Sequence, residues 1–130
     1  MPSPDPRTCL VVDDEPTIRE LVSLNLEAEG MVVWTAENGD EAERIAHSML
    51  PGVIILDVMM PGRDGYDVLA ALKAHDRTRH IPVVLLTAKA TDAEVWKGWT
   101  SGADYYITKP FNIEELLHYL DLIFEAAQAV

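Results

Sequence analysis

Asp13, Asp14, Asp57, Thr87 and Lys109 are the residues of this chain whose types and settings could do chemistry together. Each lies at the end of a short apolar run: "CLVV" leads into Asp13 and Asp14, "VIIL" into Asp57, "VVLL" into Thr87 and "YYIT" into Lys109. A run built for a dry interior gains nothing from ending on a carboxylate, because burying charge is costly. Three acids at two such ends therefore mark a site. Carboxylates held close together repel unless a hard cation joins them, and oxygen ligands of this kind suit Mg²⁺. Such an ion keeps several waters, so fewer than all three acids need touch it directly. Lys109 adds a point charge and Thr87 a hydroxyl, and the set would clamp a phosphoryl group.

These residues converge only if their runs lie side by side. The runs at 8–12, 31–35, 53–56, 82–86 and 104–108 have strand length and composition, and stretches of helical period follow each of them. The first helix opens at Pro16 and carries Ile18, Leu21, Val22 and Leu26 on one stripe, with Gly30 as its stop. Residues 39–49, 65–75, 91–101 and 112–126 supply the others. Asn112 is the N-cap of the last, ahead of Glu114 and Glu115. Five βα units predict an α/β fold, a doubly wound parallel sheet with helices on both faces. In such a sheet the binding crevice lies outside the carboxyl ends of the strands, where Asp13, Asp14 and Asp57 fall.

The 130 residues suit a single domain with its own core, and 48% hydrophobic and 25% charged residues are ordinary for a globular protein. A net charge of −12 disfavours a nucleic-acid or anionic-membrane surface and favours a cationic ligand. Cys9 is the only cysteine, so there is no disulfide framework. No apolar stretch approaches the ~20 residues that span a bilayer, and "MPSPDPR" lacks a signal-peptide core. A cytoplasmic domain is expected, with residues 1–6 a disordered lead, 7–126 the folded unit and 127–130 a tail.

Four motifs, "VVDDE", "LDVMMPGRDG", "LLTA" and "YYITKPF", stand in an order and spacing that resemble the receiver domain of a two-component response regulator over roughly residues 7–126. The resemblance implies a flavodoxin-like strand order 2-1-3-4-5. It implies Asp57 as a phosphoacceptor that becomes an acyl phosphate. Asp14 and Asp57 would bind Mg²⁺ (Mn²⁺ as the substitute) directly, Asp13 through water, and the backbone carbonyl of Met59 would complete the ligand set. Thr87 and Lys109 would hold the phosphoryl oxygens, with a cis bond between Lys109 and Pro110. Thr87 and Tyr106 would act as the switch pair, altering the face formed by the fourth helix, fifth strand and fifth helix. The donor would be a sensor histidine kinase, a phosphotransfer protein or a small acyl phosphate. The chain would assist its own phosphorylation and dephosphorylation without being a turnover enzyme.

Other readings weigh less. A binding-only pseudo-receiver would lack an acid or the lysine, and none is missing. A haloacid-dehalogenase-type phosphatase needs a second acid two residues after the nucleophile, where this chain has Met59. A dinucleotide or flavin site would want a Gly-rich first turn. Asp104 reads as a turn former, Gly62 and Gly65 as loop formers, and Tyr105 and Tyr106 as neighbours facing opposite sides of the sheet. Trp96 and Trp99 share a predicted helix, one of them a candidate partner contact. His47, His75, His80 and His118 are scattered, with no metal-ligand spacing. Residues beyond the last helix leave no room for an output module, so the expected chain is either a stand-alone receiver acting on a downstream protein target or a piece cut from a longer regulator with a fused output domain. The last predicted helix has no Lys or Arg for a charge-paired dimer, which leaves a monomer or an apolar, phosphorylation-dependent dimer.

Overall fold

The computed structural model describes residues 7–88, 91, 96–97 and 100–128. The expected lead at 1–6 lies outside them, as does most of the predicted helix at 91–101, of which 96, 97 and 100 are helical. The strands are β1 (Thr8–Val12), β2 (Val32–Ala36), β3 (Val53–Asp57), β4 (Val83–Thr87) and β5 (Tyr105–Thr108). The helices described in full are α1 (Pro16–Ala28), α2 (Gly39–Met49), α3 (Gly65–Lys73) and α4 (Ile113–Gln128), the last being the fifth helix expected from the sequence. The five strands form one parallel sheet in the order β2-β1-β3-β4-β5.

β3 and β4 are buried at every position because helices cover both faces. Period two then divides the core. Leu10, Val12, Ile54, Leu56, Val83 and Leu85 face α2 and α3, meeting Ala42, Ala46, Val68, Leu69 and Leu72. Cys9, Val11, Val53, Ile55, Val84, Leu86 and Ile107 face α1 and α4, meeting Val22, Leu26, Leu116, Leu120, Ile123 and Phe124. Tyr106 packs on the first side and Tyr105 on the second, where its ring stacks on Tyr119 at 4.6 Å.

Caps set the element ends. Gly30 follows α1 with φ +85, in the left-handed region that glycine tolerates best. Asn38 accepts from the Glu41 N–H ahead of α2, and Asn112 from the Glu115 N–H ahead of α4. Asp64 and Asp67 form a reciprocal capping box on α3. β2 and β4 begin and end one residue later than the sequence pattern predicts. α4 runs to Gln128, past the predicted end at 126. Asp104 ties β5 to β4, its side chain accepting from the Val83 N–H at 2.8 Å and its own N–H donating to the Val83 carbonyl.

Candidate functional site

β1 and β3 are paired, with Val12 opposite Leu56, so the residues just past these positions emerge together at the carboxyl edge of the sheet. Asp13 follows the end of β1 and Asp57 closes β3. Both carboxylates are interior: Asp13 is 0% and Asp57 2% exposed. Asp14 is half-buried beside them. One carboxylate oxygen from each of the three lies within 4.8 Å of the others.

Backbone and side-chain donors fix Asp13 and Asp57. Asp13 Oδ1 accepts the Glu15 N–H at 3.0 Å, which shapes the turn into α1, and the Arg19 guanidinium donates to the Asp13 carbonyl at 2.7 Å. Asp57 Oδ1 accepts the Met59 N–H at 3.2 Å. Lys109 reaches in from the end of β5, its Nζ 2.9 Å from Asp13 Oδ2, 3.4 Å from Asp57 Oδ1 and 3.7 Å from Glu15 Oε1. Its backbone N–H donates to the Thr87 carbonyl at 2.6 Å, and the Lys109–Pro110 bond is cis. Thr87 closes β4 fully buried, one residue past Leu86, the partner of Asp57 across the β3–β4 pair.

The loop after β3 fits only with glycine at 65. A Cβ there would strike the Asp57 carbonyl oxygen and lie 2.8 Å from the Val58 Cα. With none present, the Gly65 N–H donates to the Val58 carbonyl at 2.9 Å and α3 starts directly against the acid-bearing strand. Gly62, at φ +76, makes the preceding turn. The Met59 side chain is 53% exposed at the mouth of the site.

The electrostatics follow from this packing. Burial, then the charge of Asp13, pushes the Asp57 carboxyl up to about 7, against the opposing pull of Lys109 and the Met59 N–H. Lys109 has its ammonium stabilised above the ordinary lysine range: burial lowers it, but the bond to Asp13 and the charges of Asp13, Asp57 and Glu15 outweigh that. Three ionised carboxylates against one ammonium leave a formal charge of −2. All the side-chain donors are oxygens, so the cluster fits a hard divalent cation such as Mg²⁺.

Every strand-end residue singled out in the sequence thus lies at one edge. Tyr106 stands apart, half-buried on β5 against the core beneath α2 and α3. Trp96 is 71% exposed, whereas Trp99 lies outside the described residues. The histidine reading needs correction: His47 and His75, 28 positions apart, come together with Glu43 so that one ligand atom of each lies within 4.8 Å of the others. The only sequence signal was Glu43 and His47 at i, i+4 on one helix, because the third member arrives through α2–α3 packing.

Among known proteins, the response regulator receiver domain family model matches residues 9–121. The chain is 44% identical over 108 residues to the DNA-binding dual master transcriptional regulator RpaA of Synechocystis sp., a match covering 83% of this chain and 45% of that protein. It is 41% identical over 107 residues to the phosphate regulon transcriptional regulatory protein PhoB of Rhizobium meliloti, covering 82% and 47%. The chain spans about half the length of the curated relatives it matches. Among solved structures, the chemotaxis response regulator CheY4 of Vibrio cholerae superposes with a TM-score of 0.85 at 34% identity, over 91% of this chain and 98% of that one. The receiver domain of Francisella response regulator 1452 gives 0.88 at 30% identity, over 93% and 98%. No described helix is long and apolar enough to cross a membrane. In fold, in strand order and in sequence across residues 9–121, the chain belongs to the response regulator receiver domain family of two-component signalling.

Proposed function

We propose that this chain accepts a phosphoryl group on Asp57 from a phosphohistidine, borne by a sensor histidine kinase or a phosphotransfer protein, and signals by the change that follows. The observation that carries this reading is the buried meeting of Asp57 with Asp13, Asp14 and Lys109 at one sheet edge. Asp13, Asp14, Asp57 and the Met59 backbone carbonyl would hold Mg²⁺ or Mn²⁺, which when bound supplies the positive charge that neutralises the transferring phosphoryl oxygens.

The chain's own residues do the rest. The Met59 N–H orients the Asp57 carboxylate. That carboxylate attacks phosphorus, forming a P–O bond as the donor's P–N bond breaks and the imidazole leaves. Lys109, held by Asp13 beforehand, moves its ammonium onto a phosphoryl oxygen, and the Thr87 hydroxyl donates to another. The shift of Thr87 opens space into which Tyr106 turns, altering the face that the predicted helix at 91–101 would form with β5 and α4. Water attacking phosphorus then breaks the new P–O bond and returns the free Asp57 carboxylate. The chain accepts and loses the group without being a turnover enzyme. It acts in the cytoplasm on a downstream protein or a fused output domain, as a monomer or a phosphorylation-dependent dimer, without itself binding nucleic acid or membrane. Residues 7–126 would form the receiver unit.

Reduction with borohydride converts an aspartyl phosphate to homoserine and so locates it. After phosphorylation, peptide mapping is expected to find homoserine at position 57. Homoserine at 13 or 14, or phosphate stable to reduction on another residue, would overturn the assignment.

A further inference from the structure

Glu43, His47 and His75 form a second cluster of metal-ligating groups, on the outer side of α2 and the end of α3. Glu43 and His47 stand one turn apart on α2, and α helices place i, i+4 side chains on the same face. His75 follows Ala74, the residue that ends α3. The two imidazoles meet edge to face, with centroids 4.9 Å apart and planes at 85°. Two imidazoles sharing one tetrahedral zinc, at Zn–N distances of about 2.0–2.1 Å, have centroids roughly 5 Å apart.

The backbone holds these partners together without the help of any ligand. Arg77 Nε donates to the His47 carbonyl at 2.9 Å, tying the end of α2 to the turn after α3. The Thr78 and Arg79 N–H groups donate to the His75 carbonyl at 3.2 and 2.9 Å, and the buried Thr78 hydroxyl donates to the Leu72 carbonyl at 2.7 Å. Glu43 is half-buried and bonded through Oε2 to Arg63 at 2.7 Å, while Arg63 keeps a second carboxylate in Asp40 at 2.9 Å. Arg63 therefore retains a partner if Glu43 turns to a cation.

We infer that Glu43, His47 and His75 form a transition-metal site, separate from the acidic edge, that takes a borderline divalent cation such as Zn²⁺ with water in the fourth position. Two imidazole nitrogens and one carboxylate oxygen suit Zn²⁺ and Cu²⁺, and are a poor set for Mg²⁺, which prefers oxygen. Bound metal would clamp α2 to the end of α3.

The test is zinc binding to the full chain by competition with a chromogenic chelator, in excess Mg²⁺ to keep zinc off the Asp13–Asp14–Asp57 carboxylates. One equivalent is expected. Its affinity should fall more than ~10-fold in His47→Ala, in His75→Ala and in Glu43→Gln, and stay unchanged in His80→Ala and His118→Ala. A readout on the unaltered protein guards against misfolded variants: substoichiometric Cu²⁺ should broaden the imidazole resonances of His47 and His75 ahead of those of His80 and His118. No stoichiometric zinc, affinity indifferent to His47 and His75, or equal broadening of all four histidines would overturn the site.

Discussion

The Lys109 ammonium sits 2.9 Å from Oδ2 of Asp13, closer than to any oxygen of the proposed phosphoacceptor. The lysine is thus committed to a fully buried acid. Among the described residues no other Lys or Arg pairs with the carboxylate of Asp13 or Asp57. Removing it leaves two interior carboxylates without a counter-charge, and breaking a buried pair in this way typically costs ~3–5 kcal/mol. Lys109→Met is expected to lower unfolding stability by about that amount in the absence of divalent ions. Mg²⁺ should restore part of the loss. Urea unfolding with and without Mg²⁺ checks both statements.

The raised carboxyl of Asp57 makes stability depend on pH. Its native value of about 7 lies above the 3.8 of an ordinary aspartate, so the folded state holds the proton more tightly than the unfolded state. The resulting stability is fully present below pH 3.8 and is lost as pH rises to 7. Asp57→Asn removes the destabilising charge. At pH 8 without metal it should be more stable than the parent by on the order of 1–3 kcal/mol. Thermal unfolding across pH 4–8 should show that gap closing toward the acid end. A constant gap would mean that Asp57 titrates normally.

Gly65 abuts the carbonyl of Asp57 itself. Gly65→Ala therefore has to push the start of α3 away from β3, and overpacking of this kind costs ~1–3 kcal/mol. The displaced strand end should also slow phosphorylation of Asp57 beyond what the stability loss explains. Gly62→Ala serves as the comparison: it is strained by its positive φ but meets no atom within 4 Å, so it should cost stability while sparing the phosphorylation rate.

Met59 stands at the mouth of the site, half-exposed and two residues past the acceptor. A bulky apolar side chain there would hinder the approach of hydrolytic water to a phosphorylated Asp57. Met59→Asn should change the rate at which the phosphoryl group is lost while leaving phosphorylation intact. Decay of the phosphorylated mass at fixed pH and Mg²⁺ measures it, and an unchanged rate would remove Met59 from the account.

Asp57 and Asp13 were legible because a strand buried on both faces tolerates no acid without a reason, and theirs is position at the carboxyl edge. Thr87 and Lys109 were legible for the same cause, once β4 was recognised as the neighbour of β3 and β5 as the neighbour of β4. The pairing of Lys109 with Asp13 was not, since the two are 96 residues apart and only the fold decides which acid the ammonium meets first. The ends of β2, β4 and α4 shifted by one or two residues because caps and packing, not apolar pattern, set where an element stops. His47 and His75 escaped because neither periodicity nor spacing reports which helix faces lie against each other.

The signalling role of this chain depends, in the proposed function, on Asp57 accepting a phosphoryl group with the help of a divalent cation. Its most direct test is the intact mass of the protein after incubation with acetyl phosphate and Mg²⁺, beside one sample containing a chelator and one carrying Asp57→Asn. One added phosphoryl group is expected, absent from both controls. An adduct that survives in the chelated sample or in Asp57→Asn would contradict it. So would a protein that stays unmodified under these conditions and also fails to bind Mg²⁺ when titrated by tryptophan fluorescence.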